Sequence, residues 1–137
     1  MVEIPTVRFF CICEKAERNP NDGSWSLHNI YHTAYLPKQF DRVEEMYAHI
    51  QLTDGIGEAM IGLKVEWADL ANPKRNQLVD RIPLGTINFT DPWKVVSRTI
   101  RFAEIPIPNP GQYRFSLVLK DQALQGGEVY LRILQGE

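Results

Sequence analysis

The sequence has no long apolar run, few cysteines and no excess of positive charge. None of its apolar segments approaches the roughly 20 residues that a membrane-spanning helix needs, and residues 1–7 lack the charged-then-apolar order of a signal peptide. Fifteen Lys and Arg are balanced by seventeen Asp and Glu, with the signs interspersed, so the formal net charge is −2. No extended positive field attracts a phosphate backbone. We expect a cytoplasmic protein that binds neither nucleic acid nor membrane.

Cys11 and Cys13 are the only cysteines. On a strand, residues i and i+2 point the same way with Cβ atoms about 6.7 Å apart, whereas a disulfide requires about 3.8 Å. Two thiols without further Cys or His at ligand spacing also fall short of the four ligands of a structural zinc site. We therefore expect two reduced, buried thiols, and neither a metal nor another cofactor.

The sequence also lacks the short motifs of common catalytic sites. It has no Gly-x-Ser-x-Gly elbow, no Gly-x-Gly-x-x-Gly fingerprint and no phosphate-binding loop of the Walker type. His28 and His32 are four residues apart, which on a strand separates them by about 13 Å, too far to share a metal ion. Asp54, Asp91 and Asp121 each follow a predicted strand, but none lies in the closely spaced acidic pattern of a calcium loop. We expect that the protein is not an enzyme.

What the sequence does contain is alternation of apolar and polar residues with a period of two. This pattern, interrupted by Gly, Pro, Asn and Asp, predicts short half-buried strands. The predicted strands cover residues 6–14, 24–35, 45–52, 58–67, 78–82, 95–102, 112–120 and 128–134. Residues 37–45 fit either a loop or a short helical turn, and residues 122–127 a hairpin loop closed by glycine. With 137 residues and no internal repeat, the chain is predicted to form one domain over 1–137.

Strand faces follow from the same alternation. Residues 58–67 alternate most cleanly, with Ala59, Ile61, Leu63, Val65 and Trp67 pointing inward. Inward positions in the last two strands are Tyr113, Phe115, Leu117, Leu119, Val129, Leu131 and Ile133, and one face of the first strand carries Val7, Phe9, Cys11 and Cys13. Eight short strands without βαβ alternation predict an all-β fold, a two-layer antiparallel sandwich of about eight strands, immunoglobulin-like or jelly-roll-like.

Four short segments carry a family resemblance. They are Cys13-Glu14 at a strand end, the Asp22-Gly23 turn, Ser26-Leu27 in the next strand, and Pro-Gly-Gln-Tyr-Arg-Phe at 110–115. In this order they resemble a family of small, uncharacterised bacterial β-sandwich proteins, a domain of unknown function, over most of the chain. The resemblance implies an all-β fold and supplies no function or site. The Gly-x-Tyr-x-Phe element also recurs in immunoglobulin-like sandwiches, where the aromatic residue packs between the sheets.

Apolar side chains in loops are the remaining candidates for a functional surface. Trp93 follows Asp91-Pro92 in a loop, whereas Trp25 and Trp67 fit inward faces. Ile105 and Ile107 lie in a proline-rich connector. The leading interpretation is a non-enzymatic module whose outer face, edge strand or end loops bind a protein partner or a second copy of the chain.

The alternative interpretation is a small-ligand or carbohydrate binder. Its pocket would lie between the sheets or at one end of the sandwich, lined by Trp93, Tyr31, Tyr35 and His32. A concave polar and aromatic pocket would favour the ligand, and a flat apolar face would favour the protein partner.

Overall fold

The computed structural model describes residues 4–36, 46–69, 71–102, 107 and 109–135. Over these residues the chain is all-β, as predicted, with nine strands in two sheets rather than about eight strands. The strands are β1 (Thr6–Arg18), β2 (Trp25–Ile30), β3 (Thr33–Leu36), β4 (Met46–Thr53), β5 (Gly57–Trp67), β6 (Gln77–Phe89), β7 (Val96–Phe102), β8 (Gly111–Leu119) and β9 (Gln122–Gln135). A single-turn 3-10 helix, Pro73–Arg75, lies between β5 and β6. Within the described ranges, no helix is long and apolar enough to cross a bilayer.

The strands form a four-stranded sheet, in the order β2-β1-β4-β7, and a five-stranded sheet, in the order β3-β9-β8-β5-β6. Neighbouring strands are antiparallel except β3 and β9, which pair in parallel with Thr33 opposite Arg132. The prediction of purely antiparallel sheets is wrong at this pair. The chain leaves the four-stranded sheet at Tyr31 and His32 and joins the other sheet, so the predicted strand 24–35 is two strands.

The apolar core is formed by inner side chains of both sheets. On β5, Ala59, Ile61, Leu63 and Val65 are buried in alternation, which confirms the predicted inner face. On the neighbouring strand β8, the buried residues Tyr113, Phe115 and Leu117 belong to the same core, so the Gly-x-Tyr-x-Phe element places its aromatic rings as predicted. Trp67 is partly buried and packs against this core.

Strand β1 departs from the predicted pattern. A register shift between Val7 and Phe9 marks a β-bulge, which reverses the faces of all later residues. Val7 therefore packs against the core, whereas Cys11 and Cys13 lie on the opposite face of the sheet. The prediction that one face carries Val7, Phe9 and both cysteines is wrong. The two thiols are free and buried, as predicted.

Two further boundaries differ from the predictions. Strand β6 runs through Pro83, where a short strand was predicted, because β6 is an edge strand and Pro83 needs no ladder donor on its free side. The hairpin loop predicted at 122–127 is wrong, since β8 and β9 are joined at Lys120 and Asp121. Both residues have positive φ, 51° and 64°, as a two-residue type I′ turn requires. The loop or helical turn predicted at 37–45 lies outside the described residues.

Candidate functional site

The predicted site residues do not lie together. Pro92 O accepts a hydrogen bond from Asp54 N–H at 2.9 Å, which places the Trp93 loop at the end of β4. Tyr31 N–H instead donates to Ile12 O at 2.8 Å, near the opposite end of that sheet. Thr6 pairs with Thr53 beside the Trp93 loop, and the six residue steps from Thr6 to Ile12 span about 20 Å.

Tyr31 opens the crossing between the sheets, where His32 and Tyr35 also lie. The path along the four-stranded sheet thus separates these three residues from Trp93, and a ligand pocket lined by all four stays a prediction.

The exposure of these candidates also differs. Trp93 is 89% exposed and Tyr35 is 70% exposed, whereas Tyr31 is partly buried against the core. Ile107 is only 3% exposed and belongs to the core, so the expected apolar loop patch at Ile107 is wrong. Its isoleucine side chain gains more from burial between the sheets than from a position in water. Ile105 lies outside the described residues.

Trp93 lies in an ordered turn between β6 and β7. Asp91 Oδ1 accepts the N–H of Trp93 at 2.9 Å, and Asp91 O accepts the N–H of Lys94 at 3.2 Å. This is the local pattern with which Asp side chains stabilise turns. The bond from Asp54 N–H to Pro92 O connects the turn to the end of β4. The indole ring is thus held out into water by a fixed backbone.

The base of this turn depends on close packing at Gly55. A Cβ atom added at Gly55 would lie 2.7 Å from Cγ of Phe89, the last residue of β6. Phe89 is buried in the core and directly precedes the turn. Glycine therefore permits Phe89 to pack over the β4–β5 connection and fixes where the turn begins.

A cleft of about 480 Å³ lies beside this turn. One wall is formed by Arg18 and Trp25, at the end of β1 and the start of β2, and the other by Lys94, Val95 and Arg98. The sequence did not indicate this site, because its two walls are more than 65 residues apart and neither contains a motif. The cleft contains Arg18, Lys94 and Arg98. Positively charged residues at turns and strand ends are too common in sequences to identify a site.

Trp25, on one wall of the cleft, makes a ring contact with a residue of a strand that is not a neighbour of its own. Trp25 on β2 lies 4.6 Å from His49 on β4, measured between ring centroids, with the planes tilted by 52°. Strand β1 separates β2 from β4 in the sheet, so the four-stranded sheet must curl for these rings to meet. The β1–β2 hairpin therefore covers part of the outer face of its own sheet.

His49 is fully buried beneath Trp25. Its Nδ1 lies 2.9 Å from Thr99 Oγ1, and its Nε2 lies 3.2 Å from Gln51 Nε2. Since an amide NH₂ can only donate, His49 Nε2 accepts and Nδ1–H donates to Thr99. Burial lowers the pKa of His49. The imidazole thus contacts two neutral side chains, and no carboxylate among the described residues orients it as a general base.

The two cysteines near His49 are poor nucleophiles. Burial, followed by the neighbouring charge of Cys13, raises the pKa of Cys11 to about 12. Burial also raises the pKa of Cys13. Only a thiolate is a good nucleophile or metal ligand, and at neutral pH both groups remain protonated thiols.

Within the described part of the chain, no group of three or more His, Cys, Asp or Glu side chains is arranged to hold a metal ion. No protein-family model matches the chain, and a comparison with curated proteins gives no match. The resemblance to small bacterial β-sandwich proteins stays a prediction.

Proposed function

We propose that this chain is a non-enzymatic protein-interaction module of the cytoplasm, built on a two-layer sandwich, and that it binds its partner through the turn that carries Trp93. The observation that carries the proposal is the 89% exposure of Trp93 on a turn fixed by two backbone–backbone hydrogen bonds and one from Trp93 N–H to the Asp91 carboxylate. Tryptophan is one of the residue types enriched among the side chains that dominate binding energy at protein interfaces.

The order of the turn makes this exposure informative. Because Asp91 and Asp54 already fix the backbone, a partner that buries Trp93 meets little loss of loop entropy on binding. Val95, 49% exposed, lies two residues further along and extends the apolar surface. Together these side chains form a small apolar surface at one end of the molecule, which we call the Trp93 turn surface (residues 92–95).

The chemistry of the buried groups supports a non-enzymatic role. Among the described residues, the His49 ring hydrogen-bonds to the neutral side chains of Thr99 and Gln51, and burial raises the pKa of Cys11 to about 12. A nucleophile, a base and an orienting carboxylate within hydrogen-bond reach are the usual arrangement of covalent catalysis. Among the described residues, neither His49 nor Cys11 belongs to such an arrangement.

The strand edges favour partner binding through a loop surface and disfavour partner binding by addition of a strand to a sheet edge. The longest free edge is β6, which contains Pro83 and is opposed to β5 through two register shifts. Proline and bulges on an edge strand interrupt the row of backbone donors and acceptors that an added strand would use. The other long edge, β7, exposes Arg98 and Arg101.

Charge favours a different protein over a second copy of the chain as the partner. Arg18, Lys94 and Arg98 outnumber Asp91 in the cleft beside the Trp93 turn surface, three positive charges against one negative. In a two-fold dimer the same surface faces itself, so these positive charges would oppose each other. A partner with a negatively charged rim around an apolar pocket avoids this repulsion.

The test compares Trp93→Ala with Met60→Ala, since Met60 is 69% exposed on the five-stranded sheet, away from the turn. Tagged wild-type and variant proteins are used to capture partners from a cell extract, followed by affinity measurement with each purified partner. We expect one partner whose affinity falls by about 2 kcal/mol or more with Trp93→Ala and stays unchanged with Met60→Ala.

Light scattering on a size-exclusion column, at several protein concentrations, completes the test. We expect a monomer throughout. If the wild-type protein forms a dimer and Trp93→Ala dissociates it, the partner is a second copy of the chain and not a different protein. A monomer without any Trp93-dependent partner would contradict the proposal.

A further inference from the structure

We infer that the cleft between the β1–β2 hairpin and the Trp93 turn binds an organic anion, with its carboxylate or phosphate group between Arg18 and Arg98 and its apolar part against Trp25. Lys94 and Val95 line both the cleft and the Trp93 turn surface, but Arg18, Arg98 and Trp25, which would contact the anion, lie outside residues 92–95. The inference does not require the protein partner. The cleft has about 480 Å³, within the roughly 300–1,000 Å³ usual for small-molecule sites.

The cleft cations are available for a ligand. Among the described residues, Arg18, Lys94 and Arg98 have no ion-pair partner, whereas Arg8, Arg81 and Arg114 each contact a carboxylate. Arg98 Nη1 donates to Ser97 O at 3.0 Å, which uses one of the five donors of the guanidinium group. The remaining donors suit the two oxygens of a carboxylate or the three of a phosphate.

The single negative charge of the cleft is already engaged. Asp91 Oδ1 accepts the N–H of Trp93 at 2.9 Å, so this carboxylate stabilises the turn. Asp91 leaves a net excess of two positive charges, three minus one, among the ionisable residues that line the cleft. An anion therefore enters a positive field. Because Asp91 offsets one of the three positive charges, the cleft favours ligands with one or two negative charges.

Trp25 gives the cleft an apolar wall and determines the ligand class. The ring is half-buried and rests on His49 at 4.6 Å, so its position is fixed from below. The indole and Val95 offer apolar surface that inorganic phosphate alone would leave unused. A planar organic anion satisfies both the guanidinium groups and the indole.

The experiment titrates benzoate and phenyl phosphate into isotopically labelled protein and follows the Trp25 indole and Arg side-chain resonances. Benzamide, which has the shape of benzoate without its charge, is the ligand control. Arg75→Gln is the protein control, because Arg75 is an exposed arginine on the 3-10 helix at the far end of β6. We expect saturable shifts with both anions, an affinity at least tenfold weaker in Arg98→Gln, and no saturable binding in Arg18→Gln/Arg98→Gln.

Arg18 and Arg98 are exposed, so their replacement leaves the core intact. Equal shifts with benzamide, or equal weakening by Arg75→Gln, would overturn the anion site. A blocked Asp-Glu-Asp-Glu peptide separates the two sources of the anion: tighter binding than benzoate assigns the site to acidic side chains of a protein, and weaker binding assigns it to a free organic anion. Trp93→Ala leaves the affinity for phenyl phosphate unchanged, so failure of one proposal is distinguishable from failure of the other.

Discussion

The two sheets bury their residues in different ways. The five-stranded sheet has one apolar face toward the core, and its outer face carries charged side chains, with Lys64, Glu66, Arg114 and Glu128 in contact. The four-stranded sheet also has an apolar inner face, but its outer face is buried at Cys11, Cys13 and His49. Because this sheet curls, the β1–β2 hairpin covers part of the sheet's outer face. The cleft lies at the edge of this hairpin, where Arg18 and Trp25 line it.

The outer face of the five-stranded sheet is instead shielded by side chains. Glu66 is only 7% exposed, and Arg114 donates to its Oε1 from Nε at 3.2 Å and from Nη2 at 2.6 Å. Two donors on one carboxylate oxygen compensate for the partial loss of water. In the five-stranded sheet, Glu66 on the outer face is buried by the side chain of Arg114. In the four-stranded sheet, His49 on the outer face is buried by Trp25 of the β1–β2 hairpin.

The largest expected effect lies in the five-stranded sheet. Phe115 is fully buried between the sheets, and Phe115→Ala removes most of an aromatic side chain from the core. We expect a loss of about 3–5 kcal/mol in the free energy of unfolding, measured by urea denaturation at neutral pH. A loss below about 1 kcal/mol would mean that this sheet does not carry the main core.

A smaller and more local loss of stability is expected in the β1–β2 hairpin, which covers part of the outer face of the four-stranded sheet. Trp25 is half-buried, so Trp25→Ala should cost about 2 kcal/mol, roughly half the cost for a fully buried ring. Hydrogen exchange should accelerate in β2 and the second half of β1, while β5 and β8 keep their protection. Trp93→Ala is the matched control, because its exposed ring should change stability by no more than about 0.5 kcal/mol. Equal acceleration in both sheets would contradict separate burial of the hairpin.

The smallest expected effect is a pH dependence that arises in the four-stranded sheet. Burial lowers the pKa of His49 below its ordinary value of 6.5, so the unfolded chain binds the proton more readily than the folded protein. Stability due to neutral His49 is therefore present above pH 6.5 and falls below it, by at most about 1.4 kcal/mol per pH unit.

Denaturation at several pH values from 6.5 downwards tests this effect. His49→Gln should flatten the dependence below pH 6.5, although it lowers the stability itself. An identical slope in His49→Gln would assign the effect to another group.

The sequence predicts most where alternation is undisturbed. The inward residues of β5 and the Tyr113 and Phe115 pair were predicted correctly, because each strand packs one face against the core. The β1 bulge reversed the predicted faces after one residue. The turn at Lys120 and Asp121 was missed, because neither residue marks a left-handed backbone as clearly as Gly126, which instead lies inside β9.

The candidate site was predictable only in part. Trp93 was predicted from its loop context, since an Asp-Pro pair ends a strand and the indole follows at once. Arg18 and Arg98 were not predicted, because the curl of the four-stranded sheet is what brings both to one cleft. That curl depends on long-range packing of Trp25 against His49, which has no local sequence signal.

The parallel pairing of β3 with β9 has a consequence for synthesis of the protein on the ribosome. Thr33 pairs with Arg132, a separation of 132 − 33 = 99 residues. At about 5–20 residues per second, β3 waits on the order of 5–20 s for β9, its one strand partner among the described residues. During that interval its Thr-Ala-Tyr-Leu segment lacks this partner. We expect β3 to join the five-stranded sheet last, after the β8–β9 hairpin has emerged, and to be the segment on which a chaperone would act.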